Sequence, residues 1–115
     1  MKAGKRAWIY CHIDAPEDTH GALKGHLEEL EQYCKQMGFV VAGHSDDMGN
    51  APPLKRPGIN AFLSAAKDER IEVLVIHHAL CISLHWKQRM EFFDRLLAMQ
   101  LEVISPLEGY IIGNV

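Results

Sequence analysis

No apolar run in these 115 residues approaches the ~20 that a helix needs to cross a bilayer, so a helical membrane span is excluded. The opening Met1-Lys2-Ala3-Gly4-Lys5-Arg6 leads into a short strand and lacks the apolar centre of a signal peptide. Cysteine is sparse. Cys11, Cys34 and Cys81 are odd in number and scattered, which argues for reduced thiols and a cytoplasmic setting. There is no surplus of positive charge either. A net charge of −3, with seven histidines counted neutral, gives no global pull toward a phosphate backbone. Only Lys2/Lys5/Arg6 and Lys55/Arg56 form local basic clusters. The chain also lacks repeats, low-complexity stretches and linkers. Its one Gly/Pro-rich segment has neither a dinucleotide fingerprint nor P-loop spacing, and no cofactor is expected.

What is present reads as one domain over residues 1–115, with 48% hydrophobic and 23% charged residues. The first strand is Arg6 to Ile13. A helix follows, with Leu23, Leu27, Leu30, Cys34 and Met37 on one face and Gly38 ending it. Phe39 to His44 reads as a short buried strand, and Ser45 to Lys55 as an exposed loop. Pro57 opens a second helix running to about Lys67, with Ile59, Phe62, Leu63 and Ala66 inward. The third strand is Glu72 to Ile76, and a third helix runs from about Leu84 to Met99 with Met90, Phe93, Leu96 and Leu97 as its apolar stripe. Glu102 to Ser105 is a fourth strand, with a further short one expected at Tyr110-Ile111-Ile112. Alternation of strands and helices implies an α/β fold in three layers: a mostly parallel sheet of four to five strands, helices on both faces, right-handed crossovers. In such a sheet, ligands and chemistry collect at the carboxyl ends of the strands.

Two of those strand ends carry the most informative residues. The first strand reads Tyr10-Cys11-His12-Ile13-Asp14 and breaks into Ala15-Pro16-Glu17. The third breaks into His77-His78-Ala79-Leu80-Cys81-Ile82-Ser83-Leu84-His85. Over about residues 6 to 108 the chain resembles the catalytic domain of the serine recombinases, the resolvase/invertase family. The first strand is similar to that family's Tyr-x-Arg-Val-Ser signature and Pro-Glu loop, with His12 at the arginine and Asp14 at the serine nucleophile. Leu27-Glu28-Glu29-Leu30-Glu31-Gln32-Tyr33-Cys34 continues the likeness, with His26 at a usual glutamine. Asp47 is kept from an Asp-x-x-Ser-Gly loop whose last two residues are Asn50-Ala51 here. Arg56-Pro57-Gly58 matches the family's Arg-Pro-Gly. In the Ser-Arg-Leu-x-Arg-Asp register, Cys81 and Leu84 stand at the two arginines, and Trp86-Lys87-Gln88 resumes the pattern.

The resemblance implies DNA recombination and integration by strand exchange, the trade of mobile elements. In that chemistry a serine hydroxyl attacks a DNA phosphodiester, and arginine forks stabilise the charge developing on the non-bridging oxygens. Losing one such donor typically costs ~10²–10³ in rate. Here three arginine positions and the nucleophile are exchanged, and a carboxylate at Asp14 repels the phosphate it would attack. The expectation is therefore a pseudoenzyme of recombinase type. It would act as a homo-oligomer or by pairing with an active recombinase, with DNA binding implied by the resemblance alone. The long dimerisation helix and separate DNA-binding domain of the family are expected to be absent, since the sequence stops at Val115.

Two enzymatic readings stand beside it. One is an active recombinase with an unorthodox site. The other is a metal-binding hydrolase, because His12, Asp14, His77, His78, Cys81 and His85 offer donors suited to zinc, with Cys81 and His85 sharing a face if their segment is helical. The plainer reading is neutral exchange in a polar pocket. Trp8 and Trp86 read as packing residues, Met90, Phe93 and Leu97 as core, Cys11 and Cys34 as buried thiols, and Glu17/Asp18 and Asp46/Asp47 as solvated loop acids.

Overall fold

Strand β1 (Arg6–Ile13) is apolar on both faces because both faces are covered. The computed structural model describes residues 4–113, so Lys2 of the basic cluster and Val115 lie outside the described residues. Ala7, Ile9 and Cys11 point to one side of the sheet and Trp8 and Tyr10 to the other, and none is more than 9% exposed. Helix α1 (Ala22–Met37) packs on the first side through Leu30 and Cys34. Helices α2 (Pro57–Asp68) and α3 (Trp86–Ala98) pack on the second through Ile59, Phe62, Phe92, Phe93 and Leu96. Strands β2 (Val40–Met48), β3 (Val73–Val75), β4 (Glu102–Ser105) and β5 (Gly109–Ile112) complete a sheet of order β2-β1-β3-β4-β5. All pairings are parallel except β4 with β5. The three-layer α/β architecture is as the sequence implied.

The second strand differs from expectation. It runs through Ser45, Asp46 and Asp47 to Met48, paired with β1 from Arg6↔Val40 to Ile13↔Met48 with one extra residue, Ala42, between Val41 and Gly43. As an edge strand it is largely exposed, and polar residues are tolerated where only one side of the ladder is paired. Asp47 is its buried exception, 8% exposed. Its carboxylate accepts from the backbone N–H groups of Gly58 (2.9 Å) and Ile59 (3.1 Å), capping α2 from outside the helix. Gly58 is required there: a Cβ would stand 2.5 Å from the Asp46 carbonyl oxygen and 2.6 Å from Asp47 Oδ2. Asp18 caps α1 likewise, accepting from Ala22 N (2.8 Å) and Leu23 N (3.1 Å). Neither acid is an idle loop carboxylate.

Three further corrections concern the third helix and the segment before it. Met90 and Leu97 are 53% and 56% exposed, and Phe92 is buried in their place. Met90 lies two residues, about 200° around the helix, from Phe92, so the stripe is rotated toward the larger aromatic side chain. Trp86 is 62% exposed because the buried residues occupy only the later turns, whereas Trp8 is packed, its ring 6.4 Å from Phe62. The helix begins at Trp86, not Leu84. The preceding residues form a 3₁₀ turn at Ala79–Cys81, and Ser83 Oγ accepts from His85 N at 3.0 Å. Cys81 and His85 therefore share no α-helical face.

Candidate functional site

β1 and β3 are adjacent, so the residues leaving their carboxyl ends are brought together. A cavity of about 460 Å³ opens there. His12, Asp14, Arg56, Cys81 and Leu84 all line it, as do His78 and His85. Asp47 and His77 are not among its lining residues. Sequence reasoning missed Asn50, His26, Leu80 and Ser83 as lining residues. His26 and Asn50 stand in the family register, which is the available signal.

A buried chain of hydrogen bonds underlies the cavity. Tyr10 Oη donates to Asp47 Oδ2 at 2.9 Å and accepts from Arg56 Nη1 at 3.3 Å. Arg56 Nη1 also donates to the Cys81 carbonyl (2.8 Å), and Nε donates to the Ala51 carbonyl (2.8 Å). Arg56 is only 4% exposed, and its Nη2 has no partner among the described residues. The guanidinium thus ties together β1, the loop after β2 and the turn after β3. Burial pushes the Tyr10 phenol far above its ordinary value, and Asp47 adds to that against the opposing pull of Arg56.

The histidines are in different situations. His12 Nε2 donates to the Gly49 carbonyl, which fixes its tautomer. Burial lowers its pKa; the Gly49 carbonyl works the other way, and nearby Arg56 lowers it further. His26 is lowered by burial and then by His77, whose ring is 4.6 Å away. His77 Nε2 meets Glu29 Oε2 on α1 at 2.9 Å. His78 Nδ1 is buried without a hydrogen-bond partner among the described residues. Five of the six sequence candidates line the cavity, but among the described residues no group of three His, Cys, Asp or Glu side chains is placed to hold a metal ion.

Nucleophiles are equally restrained. Burial pushes the Cys81 thiol up, Cys11 to about 12 and Cys34 to about 11. Ser83 Oγ donates to Gln88 Oε1 (2.8 Å), and Ser45 Oγ donates to the Gly58 carbonyl (2.7 Å) while accepting from Trp8 Nε1. A larger groove of about 570 Å³, between β2 and α2 over Trp8 and Gly43, opens broadly to solvent and holds none of these groups. Three residues of the basic clusters are engaged, while Lys55 is exposed. Lys5 pairs with Glu102, Arg6 Nε donates to the Glu69 carbonyl at 3.0 Å, and Arg56 is buried.

No protein-family model matches the sequence, and no curated protein matches it. Solved structures do. The N-terminal catalytic domain of TP901-1 integrase superposes with a TM-score of 0.76 at 17% identity, covering 91% of this chain and 79% of that one. The C-terminal catalytic domain of ISC1926 TnpA, an IS607-like serine recombinase, gives 0.76 at 16% identity over 87% and 68% of the two chains. A resolvase family site-specific recombinase from Streptococcus pneumoniae gives 0.76 at 8% identity over 91% and 74%. This is the serine-recombinase catalytic-domain fold. On the recombinase fold, the cavity lies at the carboxyl ends of the central strands, where an open α/β sheet presents its ligands. Among the described residues no helix is long and apolar enough to cross a membrane.

Proposed function

We propose that this chain is a recombinase-type domain without strand-cleaving activity, which acts in DNA recombination through association with itself or with an active recombinase. One observation supports the reading: Asp14, which the resemblance puts at the serine position, lines the cavity, and Arg56 is the single arginine among the described residues that line it. A phosphorane-like transition state gathers negative charge that one guanidinium, two of whose nitrogens are bonded to the protein, does not offset. The Asp14 carboxylate adds repulsion. A net charge of −3 and the engaged Lys5 and Arg6 support a role that does not depend on this domain gripping DNA.

The test is a DNA substrate nicked so that cleavage traps the protein covalently. The protein alone leaves no adduct on a denaturing gel, while light scattering of the same sample reports a dimer or higher oligomer, or a mixed oligomer once an active recombinase is added. An adduct that disappears in Asp14→Asn overturns the inactive assignment. A monomer that stays monomeric beside an active recombinase overturns the association.

A further inference from the structure

The same cavity contains a guanidinium edge that is open to it and a buried imidazole nitrogen that the described residues leave unanswered. Arg56 is 96% buried by its 4% exposure, lines the cavity, and spends Nε and Nη1 on Ala51, Tyr10 and Cys81 while Nη2 has no partner among the described residues. His78 lines the cavity too, and its Nδ1 is buried with no partner among those residues. Buried polar atoms are nearly always satisfied, so the His78 nitrogen is the exception, and the Arg56 edge beside it is a charged donor free to meet a ligand. At about 460 Å³ the space is of the size that takes small organic ligands.

The walls select among ligands. A multiply charged tetrahedral anion would need more than one free guanidinium edge and would meet the Asp14 carboxylate on the same surface. A single carboxylate needs one cation and suffers less from Asp14. Leu80, Leu84 and Ile13, with the imidazoles of His12 and His26, provide flat and apolar surface for a ring. We infer that this cavity binds a small aromatic monocarboxylate, its carboxylate on Arg56 Nη2 and a hydroxyl or N–H of its ring donating to His78 Nδ1. Such a site goes beyond association with a recombinase and stands whether or not that association occurs.

Salicylate is a suitable probe, with salicylamide as its uncharged counterpart and inorganic phosphate as the anion without a ring. Titrating the untagged full chain, followed by imidazole and guanidinium resonances in NMR, is expected to give saturable shifts at His78 and Arg56. Affinity for salicylate should exceed that for either comparison by about tenfold or more, the usual worth of a charge-assisted hydrogen bond. Arg56 also holds three chain segments together, so its replacement endangers the fold. Leu84→Asp, at a rim position 69% exposed, adds a repelling carboxylate without touching the core and should abolish binding. His78→Phe keeps the ring but removes the acceptor and should weaken it. Absence of saturation, equal affinity for salicylamide or phosphate, or full affinity in both folded variants overturns the site.

Discussion

The hydroxyl of Tyr10 donates to Asp47 at 2.9 Å, and through this bond the central strand, the edge strand and the start of α2 are held as one unit. Asp47 Oδ2 also accepts from Ile59 N and Oδ1 from Gly58 N, so one carboxylate serves a side chain and a helix end together. Removing only the hydroxyl isolates the contribution of the link. Tyr10→Phe leaves Arg56 Nη1 and Asp47 each short of a partner in a buried setting, which costs about 1–3 kcal/mol. Urea denaturation should show a lowered midpoint with an unchanged slope.

Gly58 and Gly25 form a matched pair of opposite sign. A methyl group at Gly58 would press on the Asp46 carbonyl at 2.5 Å, backbone that cannot step aside without loosening the Asp47 cap. Gly58→Ala should destabilise by about 1–3 kcal/mol. Gly25, inside α1, has nothing within 4 Å of the position a Cβ would take. Gly25→Ala should stabilise by roughly 0.5–1 kcal/mol through helix propensity. Thermal unfolding of both variants beside the parent decides it.

These features also mark where the sequence could and could not be read. The alternation Ala7/Ile9/Cys11 against Trp8/Tyr10 places β1 centrally, because burial of both faces leaves a nearly continuous apolar run. The joining of His12, Asp14, Arg56 and Cys81 around one cavity was legible because family register and sheet adjacency agreed. Asp47 reads as a loop residue because its capping partners are eleven and twelve residues away on another element, and local composition carries no trace of them. Phe92 was overlooked because two stripes fit a 3.6-residue period in α3, and only packing against the sheet chooses between them. Adjacent His77 and His78 separate for a similar reason: Glu29 on α1 takes one and the cavity the other.

Acid should destabilise the protein through its histidines. His12 and His26 both have folded-state pKa values below the ordinary 6.5, with burial the leading cause in each. The unfolded chain therefore binds protons more readily than the folded one, and stability falls as pH drops below about 6.5 toward the lowered values. Above that window these residues contribute no slope. Melting temperature measured between about pH 7.5 and 5 should decline, and His26→Gln should flatten part of the decline. A melting temperature that rises on acidification in the parent contradicts the assignment.

The sharpest test of the chemistry is to give back the missing hydroxyl. Asp14→Ser removes a repelling carboxylate and supplies the nucleophile that the resemblance implies, at a largely exposed position where the change is structurally mild. Cleavage should still not occur. His12, Cys81 and Leu84 stand in the arginine registers, and each absent donor is worth ~10²–10³ in rate, so three together put turnover beyond detection. Adding His12→Arg, Cys81→Arg and Leu84→Arg restores the charge, and only that combination should yield a trapped covalent adduct on nicked DNA. The order matters. If Asp14→Ser alone cleaves, then Arg56 and the cavity's imidazoles stabilise the transition state well enough, and the lost arginines do not explain inactivity.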